Sequence, residues 1–300
     1  MCRACEGALH CVKLDEYSIC GTCGSVNYVS VETAERENAR YFDEVYSDAT
    51  RFPIEKRYRL YDLFERIHRA FHRQEEMRFH AVLARMSHYI RSARMGVEIG
   101  FGSGHELVRH LQAGANLYGV DISREAVTNF KERHPQFRGR VEWGTKLSAH
   151  VDVLYANALF EHLDDPGGFL ANAASQLHVS GLLLLRLPVI IADAVEKEDL
   201  GRDINFWKPC HRVLYSRRGL ETLFRAHGFM IAEAAPLAYY GYKVMSSMLR
   251  HGYLDVARVR NPYFPIAGLE SEKQYLLMLV ESLFRQVLCS DYAVVARRVR

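Results

Sequence analysis

A chain of 300 residues with 49% hydrophobic and 25% charged residues is too apolar for a disordered protein and has room for a large core. Its 39 basic and 36 acidic residues leave a net charge of +3, too small to hold nucleic acid by bulk charge. Seven cysteines are too few for a disulfide scaffold, yet four of them, Cys2, Cys5, Cys20 and Cys23, stand as two close pairs within the first 23 positions. The opening residues lack a charged start followed by a long apolar core, so no secretory leader is predicted. The longest apolar stretch, Leu182 to Val195, is broken by Arg186, Pro188 and Asp193, well short of the ~20 residues of a membrane helix. The expectation is a soluble protein of a reducing cytoplasm.

Cys2-Arg-Ala-Cys5 and Cys20-Gly-Thr-Cys23 are two C-x2-C pairs separated by 14 residues. Two residues between thiolates let a tight turn aim both sulfurs at one ion, and two such knuckles supply four ligands for a closed tetrahedral zinc site. Gly21 and Gly24 suit the second turn. The competing reading is two thiol pairs without metal. A zinc ion with four cysteines around it would be structural and would hold together a small ribbon over residues 1–30. Cys11, inside the spacer, competes as a ligand, whereas Cys210 and Cys289 read as ordinary buried thiols.

Residues 31–53 are polar with a few aromatics and read as a linker with a short helix. Beyond Pro53, apolar residues recur at helical spacing: Leu60, Leu63/Phe64, Ile67 and Phe71, then Phe79, Val82/Leu83, Met86 and Tyr89/Ile90. Between Arg51 and Arg94 there are 11 basic against five acidic residues. A solvated helix face is the favoured reading, and a face for RNA or a phosphorylated substrate is the competing one. Residues 31–94 are thus a helical linker and substrate cap. His68 and His72 stand four apart, but no third ligand completes a metal motif around them.

After Met95 short apolar runs alternate with amphipathic stretches, the pattern of a mainly parallel sheet covered by helices. Strands are predicted at 96–100, 117–121, 140–143, 151–156 and 182–187, with 229–234 and 292–296 closing the sheet. Helices are predicted at 104–112, 124–132, 166–177 and 217–226. The first strand runs into Glu98-Ile-Gly100-Phe-Gly102-Ser-Gly104. Glycines there let the backbone turn sharply and approach a ligand, while the next helix presents its N-terminus to it. The dinucleotide spacing G-x-G-x-x-G would place a glycine at 105, where this chain has His105. At the end of the second strand stands Asp121, placed to accept hydrogen bonds from both hydroxyls of a ribose.

The E-x-G-x-G-x-G loop and Asp121 resemble motifs I and II of the class I S-adenosylmethionine-dependent methyltransferases. Similar to the same family are Val151–Asn157 with Phe160-Glu161-His162 and Asp164-Asp165-Pro166, and the run Asn205 to Ser216 after the fifth strand. The resemblance implies an α/β fold, a Rossmann-like seven-stranded methyltransferase sheet with helices on both faces, preceded by the small zinc ribbon. The methyltransferase domain would span 95–300 with an insertion at about 239–289. S-adenosylmethionine would be the cofactor, beside a structural zinc ion. Cofactor-binding residues by this resemblance are Glu98, Gly100, Gly102, Gly104, Asp121, Ile122, Trp143 and Asn157. The usual acidic residue after the third strand is missing at Glu142-Trp143-Gly144-Thr145, which leaves adenine to backbone groups and the face of Trp143.

The fourth strand also lacks the Asn/Asp-Pro-Pro-aromatic signature of many nucleobase amino-methyltransferases, which argues against a nucleic-acid acceptor. A small-molecule acceptor of sugar or secondary-metabolite type is the leading expectation. An RNA or protein methyltransferase, with the ribbon and basic helices as a docking module, is the alternative. Methyl transfer depends mainly on positioning and water exclusion, and a general base is needed only for some acceptors. The candidates to act on the acceptor are His162 and His211, each following the C-terminal end of a strand, where ligands bind in open α/β sheets. Glu161 is read as bracing the loop or meeting the cofactor's amino-acid moiety. The insertion, with Leu276, Leu279/Val280, Leu283/Phe284 and Val287 at helical spacing, caps the acceptor site or forms a homodimer interface.

Overall fold

The structure, a computed structural model, describes residues 1–5, 11–14, 17–28, 59–145, 150–191, 211–237, 239–251, 272–285 and 287–299, without the side chains of 11–14, 59–60, 242, 249 and 272–275. The short helix expected within 31–53, the thiols of Cys11 and Cys210, residues 205–210 and the Asn261–Pro265 segment lie outside the described residues.

Strands β1 (Cys11–Leu14), β2 (Tyr17–Cys20) and β3 (Val26–Tyr28) form an antiparallel ribbon. Helices α1 (Arg59–Phe71) and α2 (Arg73–Ser92) follow. The alternating core then runs β4 (Gly96–Ile99), α3 (His105–Gln112), β5 (Leu117–Asp121), α4 (Arg124–Arg133), β6 (Val141–Trp143), β7 (Val151–Asn157), α5 (Pro166–Gln176) and β8 (Leu177–Ile190). It finishes with β9 (Val213–Ser216), α6 (Arg217–Ala226), β10 (Phe229–Leu237), α7 (Tyr240–Arg250), α8 (Glu272–Phe284) and β11 (Cys289–Arg298).

Seven strands are hydrogen-bonded in the order β6-β5-β4-β7-β8-β11-β10, with β11 antiparallel to both of its neighbours. The pairs from β6 to β8 are parallel. Their C-terminal ends therefore open on one side of the molecule. The apolar run Leu182-Leu-Leu-Leu185 is buried on both faces, as the central strand of such a sheet requires. One sheet face packs on α2, α3 and α4 through residues such as Phe79, Leu107 and Phe130. The other packs on α5 and α6 through Leu170, Leu223 and Phe224.

Helix starts follow local chemistry. Ser123 accepts from the Ala126 N–H at 3.0 Å, Asp165 from Gly168 at 2.8 Å and Ser216 from Gly219 at 2.9 Å, each satisfying a donor left over at a helix N-terminus.

Strand β8 extends past the expected 182–187 at both ends, and at its C-terminal end it runs through Pro188, a residue that usually ends a strand. Its last pair with β7 is Asn157 with Arg186, and its first with β9 is Val189 with Tyr215. Pro188, which has no N–H to donate, falls in that gap between partners. Through β9, β8 also carries the ribbon, since Val26 pairs with Leu214 and Asn27 with Val213.

Helix α2 buries Phe79, Val82, Met86 and Ile90, the expected stripe. Helix α1 is rotated from expectation: Phe71 and Leu63 are exposed at 68% and 49%, while Tyr61 and His68 are buried. The reason is α7, whose Tyr240 ring lies 5.5 Å from Tyr61 and 5.4 Å from His68. Helix α8 completes this bundle, with the Tyr240 hydroxyl donating to the Leu279 carbonyl at 2.7 Å. Among the described residues no helix is long and apolar enough to cross a membrane.

Gly104 adopts φ +75°, and a Cβ there would stand 2.3 Å from Cδ2 of the buried Phe130. Left-handed backbone plus overpacking predicts that Gly104→Ala lowers stability by about 2–4 kcal/mol. Urea unfolding measures this, and an unchanged midpoint would contradict the strain.

Candidate functional site

One residue before its end, strand β4 carries the buried Glu98, whose Oε2 has no hydrogen-bond partner among the described residues. Burial, with Glu106 and Asp121 nearby, holds its carboxyl well above the usual range. The chain then turns through Gly100, Gly102 and Gly104 at φ +70°, +53° and +75°, conformations that side chains with a Cβ rarely adopt. A Cβ at Gly100 would meet Leu159 at 3.0 Å, so the loop after β7 packs directly under the glycine loop.

Asp121, at the end of β5 and 6% exposed, fixes two backbone segments. Its Oδ2 accepts from the Gly102 N–H and its Oδ1 from the Ser123 N–H, both at 2.8 Å. Beside it, Ile122 and Trp143 are 52% and 56% exposed. The Trp143 indole N–H donates to the Ile122 carbonyl at 2.9 Å, and the Arg124 guanidinium lies 4.2 Å from the ring centroid. Two large apolar side chains are thus held open at the mouth of the strands. Asn157 ends β7 half-buried. Glu98, the three glycines, Asp121, Ile122, Trp143 and Asn157 therefore all lie at or just beyond the C-terminal ends of parallel strands, the place where open α/β sheets bind ligands.

His162 and His211 come together at the same end of the sheet, with ring centroids 4.9 Å apart. His162 closes a short 3-10 turn after β7, and His211 precedes β9. The two loops are joined by the Arg212 N–H, which donates to the Glu161 carbonyl at 2.7 Å. Glu161 is buried, with Nε2 of His162 3.8 Å from its Oε1. Burial pushes its carboxyl up to about 8.

Sequence reasoning missed a polar network on the sheet face toward α2. Arg186 of β8 lies 2.6 Å from Asp291 of β11 and donates to the Tyr239 hydroxyl at 3.1 Å. With Tyr155, Glu106 and His110 it lines a cavity of 250 Å³ under α2, which no glycine-loop residue lines. Burial lowers His110 to about 4. Only the interruption of an apolar run by Arg186 hinted at this network, because its partner is 105 residues away.

At the ribbon, Cys2, Cys5, Cys20 and Cys23 bring their sulfurs within 4.8 Å of one another. The Cys2–Cys23 and Cys5–Cys20 sulfurs are both 3.7 Å apart. The Arg3 N–H donates to Asn27 Oδ1 at 2.8 Å, and Asn27 Nδ2 to the Cys2 sulfur at 3.4 Å. The Arg3 guanidinium reaches out to the Asp164 carbonyl at 3.1 Å and the Tyr28 carbonyl at 2.8 Å. The Ser25 hydroxyl accepts from the Ser216 N–H at 2.9 Å, and the Ser216 hydroxyl donates to the Cys23 carbonyl. A Cβ on Gly219 of α6 would meet Ser25 Oγ at 2.3 Å. The ribbon is built into the core and not tethered beside it.

A family profile described as "Methyltransferase domain" matches residues 59–234, more than half of the chain. The chain belongs to this methyltransferase-domain family. No curated protein matches the sequence. Among solved structures, it is similar to geranyl diphosphate C-methyltransferase from Streptomyces coelicolor A3(2), with TM-score 0.54 and 14% identity over 90% of this chain and 99% of that one. It is also similar to a putative sarcosine dimethylglycine methyltransferase from Galdieria sulphuraria, with TM-score 0.53 and 15% identity over 87% and 98%. A geranyl diphosphate methyltransferase solved with S-adenosylmethionine gives TM-score 0.50 and 16% identity over 77% and 87%. These likenesses place the fold, a Rossmann-like methyltransferase sheet carrying a four-cysteine ribbon.

The Arg186–Asp291 pair is largely buried, with side-chain exposures of 21% and 12%. Removing one partner of such a pair leaves an uncompensated charge, so Asp291→Ala is expected to cost about 3 kcal/mol. Arg186→Met in the same chain should recover much of the loss in urea unfolding. Additive losses in the double variant would contradict the pairing.

Proposed function

We propose that the chain transfers a methyl group from S-adenosylmethionine to a small-molecule acceptor by direct displacement, with a structural zinc ion in its ribbon. The observation that carries this reading is the clamp of Asp121 on the glycine loop at the mouth of β4 and β5. S-adenosylmethionine supplies an electrophilic methyl group on a sulfonium. Asp121, which accepts from Gly102 and Ser123 through different oxygens, stands at the strand end where its carboxylate would accept ribose hydroxyls. Gly100, Gly102 and Gly104 let the backbone approach the cofactor. The exposed Ile122 and Trp143 offer an apolar shelf for adenine, and Asn157 stands at the neighbouring strand end. Glu98 offers its Oε2 to the cofactor's amino-acid end, where an ammonium favours the charged carboxylate that burial alone disfavours.

His162 and His211 are the side chains placed to act on the acceptor. Alignment of that atom with the methyl carbon in a site closed to water accounts for up to about 7–11 kcal/mol of the barrier. One observation of the structure supports a small acceptor. The ribbon's contacts through Arg3, Ser25 and Ser216 are spent on the core, which disfavours a docking module. The structural neighbours named for geranyl diphosphate point the same way.

Zinc fits the ribbon geometrically. Thiolates about 2.3 Å from a tetrahedral ion stand about 3.8 Å apart, and both measured sulfur pairs are at 3.7 Å. Free thiols holding that ion are consistent with a reducing cytoplasm.

Calorimetry with S-adenosylhomocysteine tests the cofactor. Wild-type protein should bind it, and Asp121→Ala should weaken binding about 10- to 100-fold, the worth of hydrogen bonds to a charged group. Binding of NAD in its place would sink the reading. Metal analysis should find zinc in the wild-type protein and one equivalent per chain fewer in Cys20→Ser. Full retention of zinc in that variant would refute the ligand set.

A further inference from the structure

Besides the ribbon cysteines, one other set of metal-ligating side chains converges among the described residues: a carboxylate oxygen of Glu161 and a ring nitrogen each of His162 and His211, all within 4.8 Å of one another. We propose that these three form a binding site for a divalent first-row metal ion that coordinates the acceptor of the methyl group. The proposal rests on the methyltransferase reading above and deepens it, because it assigns to the acceptor an oxygen able to ligate a metal.

The geometry separates this arrangement from a proton relay. In a relay the carboxylate orients the imidazole through a hydrogen bond, but Glu161 Oε1 stands 3.8 Å from Nε2 of His162, beyond hydrogen-bond range. Ligands about 2.1 Å from one ion lie about 3.0–3.4 Å apart, so small ring rotations of two half-buried histidines close the remaining gap. The other oxygen of Glu161, Oε2, is buried and has no hydrogen-bond partner among the described residues. A carboxylate buried in that way is costly, and a bound cation repays the cost.

The ligand set also names the ion. Two imidazoles and one carboxylate suit zinc, iron, cobalt or manganese and leave coordination positions open, unlike the closed four-sulfur ribbon. Neighbouring cations have other partners: the Arg186 guanidinium lies 2.6 Å from Asp291, and the buried Arg212 guanidinium is turned toward Asp164 at 3.5 Å and the Tyr28 ring at 5.3 Å. Both ligand-bearing loops are braced, by the Arg212 N–H on the Glu161 carbonyl and by the Tyr215 hydroxyl on the Phe160 carbonyl at 3.3 Å.

Such an ion would hold an acceptor hydroxyl or carbonyl oxygen over the C-terminal ends of β7 and β8. For a hydroxyl it would also ease loss of the proton to water. The site thus selects acceptors with a metal-ligating oxygen at, or next to, the atom that is methylated.

Cobalt titration of the zinc-loaded, full-length protein tests this. One Co²⁺ per chain should bind with the d–d spectrum of a nitrogen and oxygen site and without thiolate charge-transfer bands. Glu161→Gln, which keeps the shape of the side chain, and His211→Ala should each weaken Co²⁺ binding by at least the roughly 10- to 100-fold that loss of a mere supporting partner costs. Co²⁺ should raise the melting temperature of wild-type protein and not that of Glu161→Gln, which covers a His211→Ala chain that fails to fold. Equal Co²⁺ binding in wild type and variants, or thiolate bands alone, would overturn the site. S-adenosylhomocysteine calorimetry on the same samples separates the two failures. Retained cofactor binding without Co²⁺ binding overturns the cation site only, and absent cofactor binding in wild type overturns the methyltransferase reading itself.

Discussion

Strand β8 runs four residues past the last residue of β7 that pairs with it, from Arg186 to Ile190. Buried backbone N–H and C=O groups cannot be left without partners, so this overhang must find another strand. It finds β9, and through β9 the ribbon becomes part of the same hydrogen-bonded sheet. The opposite edge of β8 is paired along its length with β11, from Leu182–Arg297 to Ile190–Cys289. One strand therefore joins the parallel core, the four-cysteine unit and the strand that follows the helical insertion. The histidine pair is a consequence as well: β9 brings His211 to the end of β7, where His162 waits on its turn.

The strand ends and the cavity follow opposite rules. At the strand ends, glycines and Asp121 hold a backbone shape. In the cavity, Arg186, Tyr155, Glu106 and His110 line one space, with burial lowering His110 and raising the carboxyl of Asp291, the partner of Arg186. Burial of so many ionisable groups under α2 costs desolvation that a simple apolar core would avoid. Such groups are characteristic of places where a protein handles a polar ligand.

Helix α1 shows how packing overrides a local pattern. Its apolar residues have helical period, yet Leu63 and Phe71 face outward and Tyr61 and His68 inward. The helix turns the face that complements Tyr240, and the period alone could not say which face that would be. The neighbouring His72 then lies 3.4 Å from the buried Lys243 of α7, a contact across 171 residues that no local pattern contains.

What the sequence by itself determined is local or periodic. The C-x2-C knuckles, the glycine loop, the carboxylate at a strand end, the strands of the parallel core and the α2 stripe each follow from spacing within a few residues. What only the tertiary structure decided depends on which distant segments meet. The length of β8, the docking of the ribbon on α6, the Arg186–Asp291 pair and the convergence of Glu161, His162 and His211 all arise from strand order. That order is set by satisfying backbone groups and burying both sheet faces at once, conditions that belong to the whole chain and are written in no single stretch of it.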